Sequence, residues 1–313
     1  MKYIILDTET TGVAEADRII QLAYLTVDES GHIELTEQLA CPEQKINFHA
    51  MATHHITPEM LEGKPQLIKT DAYKKLEELN DPENYIVIQN SEFDLKMLAK
   101  EGFKNKMKVI DTLILMRHLF KELESHAEQY ARYALGIYRK ERELAESLGI
   151  KEIAAHDAVG DILVLYLLFL HIKNIPDLYE RVDAVPNLRR EMQASGLSVE
   201  VLKKLPADDL LYVISQVPQL ISHFRFGKYK DRRVEDVIRD DRNYIDWMLN
   251  KMATLNKDLE YTLNFYMYPG FVSEKDYDIP EIPDSVDFIP DLREEKQLSS
   301  NDNSEQPDLF DLF

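Results

Sequence analysis

The chain has 313 residues, 44% hydrophobic and 30% charged, with a formal net charge of −20, a length that predicts two folded units with extensions rather than one domain. One cysteine, Cys41, excludes an internal disulfide framework and fits a reducing compartment. The longest apolar run, 162–172, is too short to span a bilayer, and no basic stretch with an apolar core opens the chain, so a soluble cytoplasmic protein is expected.

Strand-like runs are predicted at 3–7, 19–27 and 33–40, separated by turn-rich pieces. Helical periodicity follows at 71–79, 94–101 and 113–120, with short apolar runs at 85–89 and 108–111 between, and a long helix at about 158–172. Three neighbouring strands followed by alternating helices and buried strands predict an α/β domain with a mixed sheet over 1–173. Residues 174–206 read as a helical insertion or linker punctuated by prolines. Residues 207–270 read as a small, mostly helical C-terminal domain entered through a short hairpin, "HFRFGKYKDRRVEDVI". The stretch 271–313 is expected to be a disordered acidic tail.

The charge is unevenly spread. Residues 1–172 hold 19 basic and 29 acidic side chains, residues 173–270 hold 15 of each, and residues 271–313 hold 3 and 13. Half of the acidic excess thus lies in the tail. Part of the rest would be acids that bind cations, so the net charge does not exclude a polyanionic substrate.

Three stretches hold candidate chemistry. In "KYIILDTETTG", Asp7 and Glu9 are two apart at a strand end and can face one point. Two carboxylates that close repel unless protonated or bridged by cations; a solvated strand-end turn fits this stretch equally well. In "QNSEFDLKML", Ser91 and Asp94 also match a capping-box-like helix start, which is the stronger reading of that stretch alone. In "AAHDAVGDILVLYLLFL", His156 and Asp161 are about 140° apart on a helix. They can converge only if His156 lies on the preceding loop and Asp157 caps the helix. A desolvated acid opening so apolar a helix favours a metal.

Taken in order, Asp7-Thr8-Glu9-Thr10, Asn90-Ser91-Glu92-Phe93-Asp94, and His156 with Asp161 resemble the three motifs of the DEDDh family of 3′–5′ exonucleases. The resemblance implies a ribonuclease H-like sheet and two Mg²⁺ ions, replaceable by Mn²⁺, on Asp7, Glu9, Asp94 and Asp161. His156 would be the general base, suited by an imidazole pKa of about 6.5. Thr10, His54 (in "FHAMATHHIT"), Asn90 and Phe93 would meet the terminal nucleotide. Gln89 stands where the family commonly has His, beside the site without ligating. Asp111 matches no ligand position and reads as structural.

"FRFGKYKDRRVEDVIRDDRNYIDWMLNKM", 224–252, resembles the C-terminal region of bacterial exodeoxyribonuclease X. Arg225, Lys228, Lys230, Arg232 and Arg233 interleave there with Phe224, Phe226 and Tyr229, either to meet phosphates and bases or as a solvated hairpin over a small core. In "QPDLFDLF", Gln306, Asp308, Leu309 and Phe310 resemble the peptide by which bacterial replication and repair enzymes bind the sliding clamp; a tip folded back on the protein is the other reading. The expectation is a two-metal 3′–5′ exodeoxyribonuclease acting on DNA 3′ ends in repair or replication. The alternatives are an RNA-trimming exonuclease, a polymerase proofreading subunit and a non-catalytic clamp-tethered DNA-binding module.

Overall fold

The computed structural model describes residues 1–150, 158–252, 255–273, 275 and 277–280. Five strands, β1 Lys2–Thr10, β2 Ile19–Asp28, β3 Ile33–Leu39, β4 Tyr85–Ile88 and β5 Lys108–Asp111, form one sheet in the order β3-β2-β1-β4-β5. β1 runs antiparallel to β2 and parallel to β4, and β4 runs parallel to β5. This is the mixed, helix-flanked sheet that the sequence predicts. The strands fall where expected except at one end. β1 continues through Thr10, so Glu9 is a strand residue rather than part of a turn.

Alternation along β1 decides which core each side chain enters. Tyr3 and Ile5 pack under helix Ala158–Lys173, whereas Ile4 and Leu6 pack with Leu76 and Leu98 of helices Asp71–Glu78 and Ser91–Lys100. Helix Ala158–Lys173 lies against β1 and β2 and is covered by other helices, so ten of its 16 residues are buried. That explains its unbroken apolar run. Among the described residues, no helix is long and apolar enough to cross a membrane.

Helix Ala207–Gln216 departs from the expected partition. Its Leu210, Leu211, Val213 and Ile214 belong to the same core as Tyr3 and Ile5. Tyr85 donates its hydroxyl to Asp209 at 2.5 Å, the amide of Asp111 donates to Ser215 Oγ at 3.1 Å, and Lys173 pairs with Asp208 at 2.8 Å. A boundary at 207 would cut through one apolar core, so we propose a boundary near 220.

The C-terminal unit has its own core of Phe224, Val234, Val237, Ile245, Met248, Leu259, Leu263 and Met267. Its predicted hairpin shrinks to a single bridge, His223 to Arg233. Buried Glu191 joins it to the larger body. This carboxylate accepts from the Tyr261 hydroxyl at 2.6 Å, the Tyr277 hydroxyl at 2.8 Å and the Ser273 amide at 3.0 Å. So many donors compensate the desolvation of the charge.

Candidate active site

The parallel ladder between β1 and β4 stops at Ile5 opposite Val87. Asp7, Thr8 and Glu9 therefore project past the end of that ladder, at the carboxyl end of the parallel strands, where open sheets of this kind collect ligands. Asp7 and Glu9 share the face of Ile5, toward helix Ala158–Lys173, and Asp161 stands in the first turn of that helix. One carboxylate oxygen from each of Asp7, Glu9 and Asp161 lies within 4.8 Å of the others.

Asp94 arrives from the opposite face. It is 3% exposed and accepts a 2.6 Å hydrogen bond from the hydroxyl of Thr8, the strand residue that points that way. The capping-box reading of this stretch is overturned. The cap position is Asn90, in the left-handed region at φ +65°, and its side chain makes no capping bond. Asp111 does that work from β5: its Oδ2 accepts from the Ser91 amide at 2.7 Å and the Ser91 hydroxyl at 2.8 Å. A tertiary acceptor has replaced the local one, which releases Asp94 toward the strand. Asp111 also accepts from the amides of Leu113 and Ile114, capping its own helix.

The electrostatics follow from this crowding. Burial, then the charges of Asp94, Glu9 and Asp161, push the Asp7 carboxyl well above the usual carboxylate range. Burial pushes Asp94 up to about 7, against the opposing pull of its hydrogen bond from Thr8. Such a group of acids is stable as carboxylates only with cations among them. All donors are hard carboxylate oxygens, the set that suits Mg²⁺ or Mn²⁺ rather than a thiophilic metal. The residues present fit a divalent-metal centre.

Apart from Gln89, the supporting side chains come from segments without a recognised motif. Gln129, on helix Glu128–Ala134, donates Nε2–H to Asp161 Oδ1 at 3.0 Å. Its own Oε1 accepts from Arg132 at 2.9 Å, and Arg132 donates two further bonds to Glu141, at 2.6 and 2.5 Å. Gln21, the register partner of Glu9, accepts from the Ala158 amide at 3.3 Å and so anchors the start of the Asp161 helix. Gln89 accepts from the Thr112 hydroxyl at 2.5 Å and donates to the His126 carbonyl at 3.1 Å, tethering the approach to helix Glu128–Ala134. Only Gln129 and Arg132, three apart on a helix, carried a local signal of their contact.

The nucleotide-facing candidates are more scattered. Thr10 is buried and donates to the Gly12 carbonyl at 2.8 Å. His54 closes helix Phe48–His54 rather than lying on a loop; it is 5% exposed, and its Nδ1 accepts from the Ile56 amide at 3.0 Å. Its Nε2 is enclosed without a hydrogen-bond partner among the described residues, and burial lowers its pKa. Asn90 is exposed, and Phe93 packs partly buried against the core of Ile4 and Leu6. His156 lies outside the described residues, as do Gln306, Asp308, Leu309 and Phe310.

The expected basic patch also changes. Phe224 is 1% exposed and forms core, whereas Phe226 and Trp247 are exposed. Trp247 stacks on Tyr244 at 5.8 Å. Lys228 pairs with Asp241, Arg232 with Asp240 and Arg233 with Glu235, so three of the cations already face acids.

The exonuclease family of the RNase T type matches residues 4–169, just over half of the chain, and includes all four acids. The chain belongs to the exonuclease family. Residues 224–252 match the exodeoxyribonuclease X-like C-terminal family, and the two matches together make this 3′–5′ exonuclease one of the exodeoxyribonuclease X-like type. Exonucleases of this acid-quartet type use divalent metal ions. Exodeoxyribonuclease 10 of Escherichia coli strain K12 is 26% identical over 263 residues, covering 84% of this chain and 97% of that protein. A PolC-type DNA polymerase III of Bacillus cereus is 33% identical over 282 residues, covering 85% of this chain but 19% of the polymerase. A solved exonuclease X in complex with 5′ overhanging duplex DNA shares 20% identity at a TM-score of 0.41, over 67% of this chain and 98% of that one.

Proposed function

We propose that this exonuclease hydrolyses DNA from the 3′ end with two Mg²⁺ ions, for which Mn²⁺ can substitute, releasing nucleoside 5′-monophosphates during repair or replication. The observation that carries the reading is the meeting of Asp7, Glu9 and Asp161 within 4.8 Å, with Asp94 brought in by Thr8. The DNA substrate is supported by the exodeoxyribonuclease whose length the chain nearly covers.

Asp7, Glu9, Asp94 and Asp161 hold the ions, and Thr8 and Gln129 keep two of those carboxylates oriented. Divalent ions bound there supply Lewis-acid stabilisation of the charge that develops on the phosphodiester oxygens. His156, just before the Asp161 helix, takes the proton of the attacking water. Thr10, His54, Asn90 and Phe93 hold the terminal nucleotide. A non-catalytic module has no use for four carboxylates brought together at such electrostatic cost.

The test is degradation of 3′- and 5′-labelled DNA, with matched RNA, in Mg²⁺ or EDTA. Metal-dependent shortening of DNA from its 3′ end is expected. DNA left intact in Mg²⁺ overturns the reading, and faster loss of RNA moves the substrate to RNA.

The C-terminal unit assists by holding the strand, with Phe226 and Trp247 as stacking faces. Exposed ion pairs contribute little, so a phosphate displaces their acids at little cost. Replacing Lys228, Lys230, Arg232 and Arg233 together with Ala is expected to weaken single-stranded DNA binding and flatten its salt dependence by about 0.7 in log–log slope per lost phosphate contact. Unchanged affinity and slope in a salt titration exclude this surface. The tail residues Gln306, Asp308, Leu309 and Phe310 would tether the enzyme to a sliding clamp, raising its local concentration at DNA ends.

A further inference from the structure

Helix Glu128–Ala134 opens on a carboxylate that the chemistry above leaves unused. One oxygen of Glu128, Oε1, is shut off from solvent and has no hydrogen-bond partner among the described residues. Its surroundings are acidic. After burial, the charge of Asp161 is the largest influence raising its carboxyl well above the usual range, with Asp94 and Glu141 adding to it; Glu128 in turn is among the charges that raise Asp7. The adjacent Gln129 is hydrogen-bonded to Asp161 itself, so this end of the helix abuts the acid quartet.

The one guanidinium that opposes this is already committed. Arg132 gives two bonds to Glu141 and one to Gln129. A carboxylate with one oxygen enclosed and unpartnered is costly to keep charged. Glutamine at this position would offer the same shape without the charge. Retaining the acid makes physical sense if its partner is a cation that is not part of the polypeptide.

We propose that Glu128 is a fifth carboxylate of the metal centre, supplied by helix Glu128–Ala134, which accepts hydrogen bonds from the water shell of a divalent cation and tightens metal binding. Contact through water is the form to expect. Glu128 is not among the acids whose oxygens meet within 4.8 Å, and Mg²⁺ usually keeps several of its waters. The proposal rests on the reading of Asp7, Glu9, Asp94 and Asp161 as metal ligands. It deepens that reading by making metal affinity depend on a residue outside the three motifs.

The experiment measures Mn²⁺ binding by titration calorimetry, and thermal unfolding with and without Mn²⁺, on the full chain. Wild type is compared with Glu128→Gln, Glu128→Asp and Asp7→Asn. Glu128→Gln is expected to bind Mn²⁺ about 10–100-fold more weakly. Its metal-free form is expected to melt higher than wild type, and the Mn²⁺-induced rise in Tm should shrink. Glu128→Asp should recover part of the affinity, since it keeps the charge. If Glu128→Gln binds Mn²⁺ as wild type does while Asp7→Asn does not, Glu128 is no part of the centre and the quartet stands. If wild type binds no Mn²⁺, the quartet reading fails and this proposal falls with it.

Discussion

Asp7→Asn is expected to cut phosphodiester cleavage by about 1,000-fold or more while making the metal-free protein more stable. The loss follows from the proposed role of Asp7 as a metal ligand: Lewis-acid stabilisation by ions held there would be worth several kcal/mol, and each 1.36 kcal/mol is about tenfold in rate. The gain follows from repulsion. Asp7 sits among Asp94, Glu9 and Asp161, and burial with those charges holds its carboxyl far above the ordinary range. Asp94 is pushed up to about 7 from an ordinary 3.8. For a carboxyl raised on folding, the native state binds more protons than the unfolded chain between those two values. Its contribution to stability is therefore full below about pH 4 and is lost as pH rises through about 7. In EDTA the wild type should lose stability over that window, Asp7→Asn should lose less, and Mg²⁺ should restore the wild type near neutrality. Urea unfolding at about pH 5 and about pH 8, with and without Mg²⁺, reads this directly. A variant no more stable than wild type in EDTA sinks the repulsion account, and retained turnover sinks Asp7 as a ligand.

The second large effect is expected at a distance from the acids. Arg132 and Glu141 have side chains 12% and 5% exposed and are joined by two short bonds. Arg132→Ala would leave Glu141 as an uncompensated buried charge, at a cost of about 3–5 kcal/mol and a fall in Tm of roughly 10 °C for a chain of this size. Turnover should fall as well, by about 10–100-fold, because Gln129 loses the bond that holds its amide against Asp161. Arg132→Met combined with Glu141→Leu separates the two effects. An apolar pair of similar volume removes the stranded charge, so most of the stability should return, while turnover stays low. If turnover returns with stability, Gln129 does not depend on Arg132 for its place.

The α/β class and the strand positions were legible because strands and helices carry different periods, and an apolar run sheltered on both sides looks the same in sequence as in the sheet. Asp7 and Glu9 were legible for the same reason, since a two-residue spacing on a strand places both on one face whatever follows. Asp94 carried an ambiguous signal. Its spacing from Ser91 is that of a capping box, and only Asp111, arriving from β5, shows that the cap is supplied from elsewhere.

What the amino-acid order by itself determined, then, is the strands and helices and the acids that stand on them, because period and spacing are properties of neighbours along the chain. What the tertiary structure alone decided is the company those residues keep: Thr8 on Asp94, Gln129 on Asp161, Arg132 on Glu141, and helix Ala207–Gln216 on β5 rather than on the C-terminal core. The physical reason is that apolar burial has no direction. An amphipathic helix announces that it must cover something but not what, and each buried polar partner is chosen only once that packing is complete.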